Sequence, residues 1–408
     1  MSEDGPIAKR PFLAGRVLVL LAIVLFALSL RAAVTSLTPL LSRISGDLGF
    51  GNTVTGALGM LPTAMFAMAG FVAPALGRKI GLERLALLAA AATTIGTAGR
   101  GAVSNAAGLL LLMALALAGM GIGNITIPPL IKRYFGDRIG TMSAVYVCCV
   151  QIGTIVPAAL AIPIADGHGW RISLAVWALI PLATLWPWFL IGRGHRSADM
   201  GSGYLRSRES SGAVWRSPVT WGLTVMFATT ALITYAMLTW IPQIITSAGG
   251  SERLGGVMLA VFSLSGLVAA FVTPGLCARL ANPYPIVIGC AVCYAVGFAG
   301  LLWYPLTGTL AWMLIIGLGP STFPAAITLI NLRCRTDPGS AALSGFVQGV
   351  GYLVASAGPL VFGVLYELSG HWKLPFGFLL IAVVALLAGG YEACRPRFFE
   401  DTVRSGPR

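Results

Sequence analysis

Long apolar runs alternate with short polar stretches along the whole chain, and this pattern predicts the architecture. Twelve of the runs are about 20 residues or longer, the length that an α-helix needs to cross the hydrocarbon core of a bilayer. The predicted spans are 17–41, 52–77, 82–100, 105–131, 138–163, 171–192, 217–243, 254–280, 284–304, 309–331, 340–366 and 374–394. The pattern therefore predicts an all-α membrane protein with twelve transmembrane helices.

One polar stretch is much longer than the others and divides the chain into two sets of six spans. Residues 192–217 are rich in Gly, Ser and Arg, a composition that is typical of a linker and not of a span. The predicted organisation is an N-terminal half at 1–192, a linker at 193–216 and a C-terminal half at 217–408.

The two halves also share short sequence matches that occur in the same order. Gly121–Pro128 in span 4 matches Gly317–Pro324 in span 10 in its Gly, Thr and Pro positions. Gln151–Gly153 in span 5 is echoed by Gln348–Gly351 in span 11. Two six-helix halves related by a parallel repeat are the plan of major-facilitator transporters, which bind their substrate between the halves near the middle of the membrane.

Composition agrees with a membrane protein, and the distribution of charge orients it. The chain is 57% hydrophobic and 10% charged with a mean hydropathy of +0.85, whereas soluble proteins carry about 25% charged residues. The net charge of +13 would also suit a nucleic-acid binder, but the basic residues fall in short clusters between apolar runs. With both termini in the cytoplasm, most Lys and Arg residues lie inside, as the positive-inside rule requires. The predicted outside set is Arg43, Arg100, Arg171, Arg253 and Lys373.

Arg31 is the basic residue that this count leaves inside a span, and it is the main candidate for binding chemistry. It lies about 22 Å from the inner edge of span 1 at 1.5 Å per residue, where a guanidinium costs roughly 2.5–3.5 kcal/mol. Thr35 and Thr38 follow at helical spacing and form one polar stripe with it. Facing a water-filled cavity, Arg31 would hold an anionic or strongly polar solute. Alternatively, it extends outward or bonds helix carbonyls as a structural pin.

Polar side chains at helical spacing also mark spans 7 and 11. Tyr235 in span 7 falls close to the repeat counterpart of Arg31, so that its hydroxyl could face the guanidinium across a cavity, with Trp240 beside it. The stripe in span 11 consists of Ser344, Gln348, Tyr352 and Ser356, which would line a cavity or form a hydrogen-bonded helix seam. Gln151 and Tyr146 in span 5 and Asn124 in span 4 are weaker candidates that would equally suit helix packing.

The sequence offers little support for other chemistry. The carboxylates lie in loops, tails or helix ends, with Glu367 and Asp137 closest to a span, and the three histidines lie in loops. Proton-coupled carriers normally carry an intramembrane Asp, Glu or His, so facilitated diffusion or exchange is at least as well favoured. Phosphate-loop and H-E-x-x-H motifs are absent from the sequence, and the seven cysteines lack metal-type partners. We expect no catalytic residue, no cofactor, no metal and no nucleic-acid partner.

The stretch Gly77–Arg84 after span 2 lies where major-facilitator proteins carry the gating signature G-x-x-x-D-R-x-G-R-[RK]. Its basic character fits through Arg78, Lys79 and Arg84. Arg78 stands in place of the Asp of the signature, however, and Pro74 replaces its first Gly. We expect these basic residues to contribute to a gate that lacks the usual acidic partner.

Taken together, these features resemble the major facilitator superfamily over the whole chain, and in particular its cyanate and nitroimidazole (CynX/NimT) branch. The resemblance rests on the strings Leu30–Gly49, Gly123–Lys132, Thr328–Arg333 and Gln348–Tyr352. It implies a multi-pass transporter of the bacterial inner membrane that moves small polar or anionic solutes, with the arginine of span 1 in the cavity.

The sequence leaves two transport functions open. In the first, a secondary active or facilitative carrier moves a small organic or inorganic anion by alternating access. Arg31 would hold the charge, and orienting hydrogen bonds would come from Tyr235, Gln151, Gln348 and Tyr352. In the second, the protein exports neutral heteroaromatic toxicants such as nitroimidazoles, and Trp240, Tyr235 and Tyr146 stack the ring. A membrane receptor without transport is a third possibility. We expect a monomer with the lipid bilayer and a small molecule as its partners, because one chain contains both halves.

Overall fold

The computed structural model describes residues 16–194 and 214–404, and these residues are almost entirely helical. Ten segments of the described ranges are long and apolar enough to cross a membrane. One of them, Thr141–Gly192, contains two antiparallel helices, and Leu82–Gly99 adds a further helix of 18 residues. The described part of the chain therefore contains the twelve spans that the apolar pattern predicts.

In the N-terminal half, span 1 is divided into short helices, and spans 5 and 6 follow each other almost without interruption. Span 1 is divided into Val17–Ser29, Ala32–Leu37, a 3-10 turn at Thr38–Leu40, and Leu41–Leu48. Spans 2, 3 and 4 are the single helices Asn52–Ile80, Leu82–Gly99 and Ala106–Tyr134. Spans 5 and 6 follow as Ile139–Ala175, Val176–Ala178 and Leu179–Gly194, and the chain reverses at Gly169, whose φ of 80° suits glycine.

The C-terminal half repeats this plan with different interruptions. Spans 7, 8 and 9 are Pro218–Ser247, Glu252–Arg279 and Tyr284–Trp303. Span 10 consists of Thr309–Leu318, Gly319–Ser321 and Thr322–Leu332, and Pro320 accounts for its break because proline has no N–H to donate. Span 11 consists of Asp337–Ala355 and Ala357–Ser369, and span 12 is Lys373–Cys394. Residues 195–213 of the predicted linker lie outside the described residues.

Twelve crossings place both described ends of the chain at the same end of the bundle. We call this end the terminal face; its loops lie at 81, 135–138, 280–283 and 333–336. The opposite end is the far face, with loops at 49–51, 103–105, 167–170, 248–251, 304–308 and 370–372.

Burial shows which spans form the centre of the bundle and which face its surroundings. Within the most apolar stretch of span 7, 89% of the residues are buried, against 39–56% in the corresponding stretches of the other segments. Large apolar side chains such as Leu111 and Ile381 are exposed on the outer surface, as lipid-facing positions require. Span 7 is therefore the central helix of the fold, and residues that face it are placed near the middle of the protein.

Candidate functional site

Span 1 is broken at the residue that carries the main candidate side chain. Its first helix ends at Ser29 and the next begins at Ala32, and Arg31 has non-helical angles of φ −126° and ψ −12°. Gly153 of span 5 packs directly against the segment before the break, since a methyl group on its Cα would lie 2.0 Å from the backbone oxygen of Leu28. Only glycine allows span 5 to approach span 1 so closely, and this approach helps to fix the position of Arg31.

The Arg31 side chain extends to the C-terminal half and contacts aromatic residues. Its Nη1 donates a hydrogen bond to the hydroxyl of Tyr235 in span 7. Its guanidinium carbon lies 5.3 Å from the ring centre of Phe66 and 5.6 Å from that of Tyr235, distances at which a cation is attracted to a ring face. The hydroxyls of Tyr146 and Tyr352 are near enough to interact electrostatically with the same guanidinium. We call Arg31, Tyr146, Tyr235 and Tyr352 the arginine–tyrosine cluster.

The electrostatics of the cluster favour an anion. Arg31 is partly exposed in the middle of the bundle, and the groups that act on its charge are tyrosines. Within the described ranges, the ion pairs of the protein involve other arginines. A tyrosine hydroxyl can accept a hydrogen bond from the guanidinium and donate one to a further acceptor. A cation without a carboxylate partner at low dielectric attracts negative charge strongly, so the cluster is chemically suited to hold an anion.

Three more of the predicted binding residues lie partly exposed in the spans around the cluster. Asn124 accepts a hydrogen bond of 3.1 Å from the hydroxyl of Tyr146 and so connects span 4 to the cluster. The amide of Gln348 donates to a serine one turn earlier in span 11, at 2.7 Å. The amide of Gln151 donates to the backbone oxygen of Ser263 at 3.3 Å and joins span 5 to span 8 of the other half.

An aromatic surface adjoins the cluster, and sequence reasoning missed most of it. The ring of Tyr352 packs edge-on against Phe66 at 6.0 Å and against Phe227 at 5.0 Å. Phe323 lies 6.3 Å from Tyr352 and 4.6 Å from Phe227. Phenylalanine is common in apolar spans, so the sequence does not mark these rings as part of a site. The one available signal is that polar residues at matching positions of the repeat lie near them. Phe66 and Phe227 are buried, whereas Phe323 and Tyr352 are partly exposed and offer an apolar surface beside the cationic group.

Trp240 and Thr35 lie apart from the accessible surface of the cluster. Trp240 is fully buried, and its indole nitrogen donates to the backbone oxygen of Pro359 at 2.9 Å. Its ring packs against Phe362 and Trp372, on the side of the far face. The buried hydroxyl of Thr35 donates to the backbone oxygen of Arg31 within its own helix. In this conformation no face of the Trp240 ring is accessible, so the stacking of a ligand on Trp240 stays a prediction.

The predicted gating loop lies at the terminal face. Lys79 and Arg84 are exposed there, whereas the side chain of Arg78 lies outside the described residues. The acidic residue of this region is Glu83, which is buried at the start of span 3 and pairs with Arg133 of span 4 at 3.0 Å. The basic loop therefore has an acidic neighbour, Glu83. Its ion pair with Arg133 lies within the N-terminal half and does not join the two halves.

Polar contacts that join the two halves lie between the cluster and the far face. Arg43 stands at the end of span 1, where it pairs with Glu252 of the other half and with Asp166 of its own half, the latter at 2.8 Å. We call the cross-half set the far-face latch; it consists of Arg43 with Glu252, Thr53 with Glu367, and Asn52 with Gln243. The halves are thus closed against each other at the far face.

Ion pairs at the terminal face connect neighbouring elements of the same half. Arg16 pairs with Asp137 at 2.6 Å, and this hydrogen bond holds the pKa of the Asp137 carboxyl below its usual range. Arg335 pairs with Asp401 at 2.8 Å in the C-terminal half. These pairs stabilise each half without crossing between them.

The structure corrects the predicted location of Arg100. The count places it in an outside loop, yet its side chain is fully buried at the far-face end of span 3. Its Nη1 donates to the backbone oxygen of Ala33 at 2.6 Å. Arg100 is therefore an interior residue that contacts span 1 two residues after Arg31.

Comparison with known proteins places this chain in a family. Residues 19–338 match the Major Facilitator Superfamily. The chain is 33% identical over 380 residues to the uncharacterised transporter YycB of Bacillus subtilis (strain 168), covering 92% of this chain and 93% of the relative. It is 30% identical over 386 residues to the 2-nitroimidazole transporter of Escherichia coli (strain K12), covering 94% and 96%.

Two further similarities also extend over at least 90% of this chain. The chain is 27% identical over 374 residues to the cyanate transport protein CynX of Escherichia coli (strain K12), covering 90% of this chain and 95% of the relative. The structure resembles that of a bacterial homologue of the human lysosomal transporter Spinster, with a TM-score of 0.72, 14% identity and coverage of 97% and 98%. The chain, a multi-pass membrane protein with the fold and sequence of small-solute transporters, belongs to the major facilitator superfamily.

Proposed function

We propose that the protein is a secondary transporter of a small organic or inorganic anion, which binds at the arginine–tyrosine cluster between the two halves. One observation carries this proposal: Arg31 is a partly exposed cation in mid-membrane whose neighbours are tyrosines. An ionised side chain at this depth is costly, and a bound anion would offset that cost. The tyrosine hydroxyls would then donate hydrogen bonds to the same anion.

The relatives support a small solute. CynX is named for cyanate, which is an anion, and the cluster supplies the charge that such a solute needs. Asn124, Gln151 and Gln348 would orient the solute from spans 4, 5 and 11. Among the described residues, the side chains that act on the charge of Arg31 are tyrosines and not a carboxylate or histidine, which favours exchange or facilitated diffusion, or a proton carried by the substrate itself.

Alternating access would proceed by opening and closing the two faces in turn. The predicted excess of Lys and Arg at the terminal face supports a cytoplasmic location for that face, with the far face towards the periplasm of a bacterial inner membrane. The far-face latch would then correspond to a state closed to the periplasm. To release or load the solute there, the pairs of Arg43 with Glu252 and of Thr53 with Glu367 must separate. One chain, acting as a monomer, would carry out the whole cycle.

Ligand-dependent thermal stability tests the proposal on purified protein. The panel contains cyanate, nitrate, benzoate and neutral 2-nitroimidazole, applied to wild type, Arg31→Ala and the control Arg171→Ala, an exposed far-face arginine. A ligand at 100 times its dissociation constant stabilises the fold by about 2.7 kcal/mol. We expect at least one anion to stabilise wild type and Arg171→Ala but not Arg31→Ala. Equal stabilisation of all three proteins by anions would refute the role of Arg31.

Export of neutral, flat heteroaromatic compounds is the second candidate. It is favoured by the partly exposed rings of Phe323 and Tyr352 beside the cluster and by the relative named for 2-nitroimidazole. Under this function, 2-nitroimidazole would stabilise wild type and Arg31→Ala alike, whereas Tyr352→Ala would lose the response. The same panel therefore distinguishes the two functions.

A further inference from the structure

A second arginine, Arg100, holds the other side of the break in span 1. Its side chain is fully buried. Its Nη1 donates to the backbone oxygen of Ala33 at 2.6 Å and lies 3.4 Å from the sulfur of Met113, and its Nη2 lies 3.5 Å from the backbone oxygen of Leu174. One guanidinium thus connects spans 1, 4 and 6 to the end of span 3.

The contacts of Arg100 are expected to add little to the stability of the fold. The hydrogen-bond acceptors of Arg100 are neutral, and its Nε has no partner among the described residues. Removing a charge from water costs more than such contacts usually return, and apolar residues of similar volume often stabilise a protein as well as a buried charge does. A role beyond stability would account for an arginine at this place.

The geometry indicates what that role is. Ala33 lies two residues after Arg31, and Leu28, against which Gly153 packs, lies three residues before it. The broken segment is therefore held from span 5 on one side and from span 3 on the other. The helix Ala32–Leu37 is buried and also packs against span 5, so loss of the Arg100 contact would not release it but would allow a small change in its orientation relative to Val17–Ser29. Because Arg31 lies between them, it would move with that change.

We propose that Arg100 is a positioning residue that fixes the break in span 1 and thereby keeps the Arg31 guanidinium within the arginine–tyrosine cluster. The inference rests on the proposed anion site at Arg31. Arg100 itself does not touch the anion, because its donors face backbone oxygens inside the N-terminal half. Its loss acts on anion affinity through the placement of Arg31.

The test compares Arg100→Met, Arg100→Lys and the control Arg333→Met. Arg333 is matched in chemistry, since it donates to the backbone oxygens of Ala393 and Cys394 at 3.4 and 2.6 Å, but it lies at the terminal face of the other half. Thermal-shift titrations with cyanate, nitrate and benzoate give the dissociation constants. For the anion that binds wild type, we expect Arg100→Met to raise the constant on the order of tenfold, Arg100→Lys to raise it less, and Arg333→Met to leave it unchanged.

A double-mutant cycle with Arg31→Gln shows whether Arg100 acts through Arg31. If it does, Arg100→Met causes no further loss of anion affinity in the Arg31→Gln background. Wild-type affinity in Arg100→Met overturns the positioning role while leaving the proposed function intact. The role is also overturned if neither Arg100 variant yields folded protein, since Arg100 is then a structural residue. If no anion in the panel stabilises wild type, the proposed function itself fails and the inference fails with it.

Discussion

Arg31 and Arg100 lie on either side of the same break in span 1, but their surroundings differ. Arg31 is partly exposed and donates across the halves to the hydroxyl of Tyr235. Arg100 is fully buried and donates to the backbone oxygen of Ala33 within its own half. A backbone carbonyl in a helix is a fixed acceptor, whereas a tyrosine hydroxyl can turn towards a solute. Arg31 is therefore suited to bind a solute, whereas Arg100 is suited to hold the backbone of span 1.

The largest effect on anion binding is expected from a variant that displaces Arg31 but leaves both arginines in the sequence. Gly153→Ala would place a methyl group 2.0 Å from the backbone oxygen of Leu28, so span 1 or span 5 must shift. Overpacking of this kind costs about 1–3 kcal/mol or more. We expect a lower melting temperature together with loss of anion binding, measured by thermal shift with and without the anion. Gly167→Ala in the same span is the control, because nothing lies within 4 Å of its new methyl group. Normal binding by Gly153→Ala would contradict the importance of this packing.

Removing the partner of Arg31 across the halves should have the next largest effect. Tyr235→Phe keeps the ring beside the guanidinium but removes the hydroxyl that accepts its hydrogen bond. In the proposed site the same hydroxyl donates to the anion, and because a hydrogen bond to a charged group contributes about 1.5–3 kcal/mol, anion affinity should fall by roughly ten- to a hundredfold. Titration of purified protein measures this change. Tyr366→Phe, whose ring stacks on Trp372 near the far face, should bind as wild type does. An unchanged affinity in Tyr235→Phe would show that the Tyr235 hydroxyl does not contribute to anion binding.

A smaller effect is expected from the far-face latch, and here a matched pair of variants is available. Glu252→Gln removes the cross-half partner of Arg43, whereas Asp166→Asn removes its partner within the same half. These pairs are partly exposed, and such pairs contribute about 0.2–1 kcal/mol. We expect Glu252→Gln to change the exchange rate in proteoliposomes a few-fold and Asp166→Asn to change it less. Equal rates in both variants would mean that the latch does not limit the cycle.

The smallest effect on binding is expected at Trp240. Trp240→Phe removes the 2.9 Å hydrogen bond to the backbone oxygen of Pro359, which should lower the free energy of unfolding by about 1 kcal/mol. Since the ring is fully buried away from the cluster, anion affinity should stay the same. Thermal shift measures both quantities on one sample. Loss of 2-nitroimidazole binding in this variant would instead support ring stacking at Trp240 in another conformation.

The apolar pattern predicts the spans well because membrane-length helices need only length and hydrophobicity. The pairing of Arg31 with Tyr235 was also open to prediction, since the repeat places both at similar depths in facing halves. Trp240 was harder to place. It lies five positions after Tyr235, and at about 100° per residue its side chain points well away from the face of Tyr235.

The environment of Arg100 could not be predicted from its local sequence. A count of charges treats an arginine at the end of an apolar run as a loop residue, but its burial depends on acceptors from spans 1 and 6, which are distant in the chain. The bonding of Thr35 within its own helix has a simpler cause, because a threonine hydroxyl in a helix readily donates to the carbonyl four residues earlier. Helical spacing alone does not distinguish such a hydroxyl from one that lines a cavity.

If the transported anion binds at Arg31, anion exchange across proteoliposome membranes must depend on this side chain. Wild type, Arg31→Lys and Arg31→Gln would be compared for uptake of labelled cyanate or benzoate into vesicles loaded with the same anion. We expect Arg31→Gln to lose about a hundredfold or more of the exchange rate, since charge-assisted hydrogen bonds are lost. Arg31→Lys should retain a fraction, because it keeps the charge without the planar fork. Exchange by Arg31→Gln at the wild-type rate and with the wild-type KM would show that the anion does not bind at Arg31.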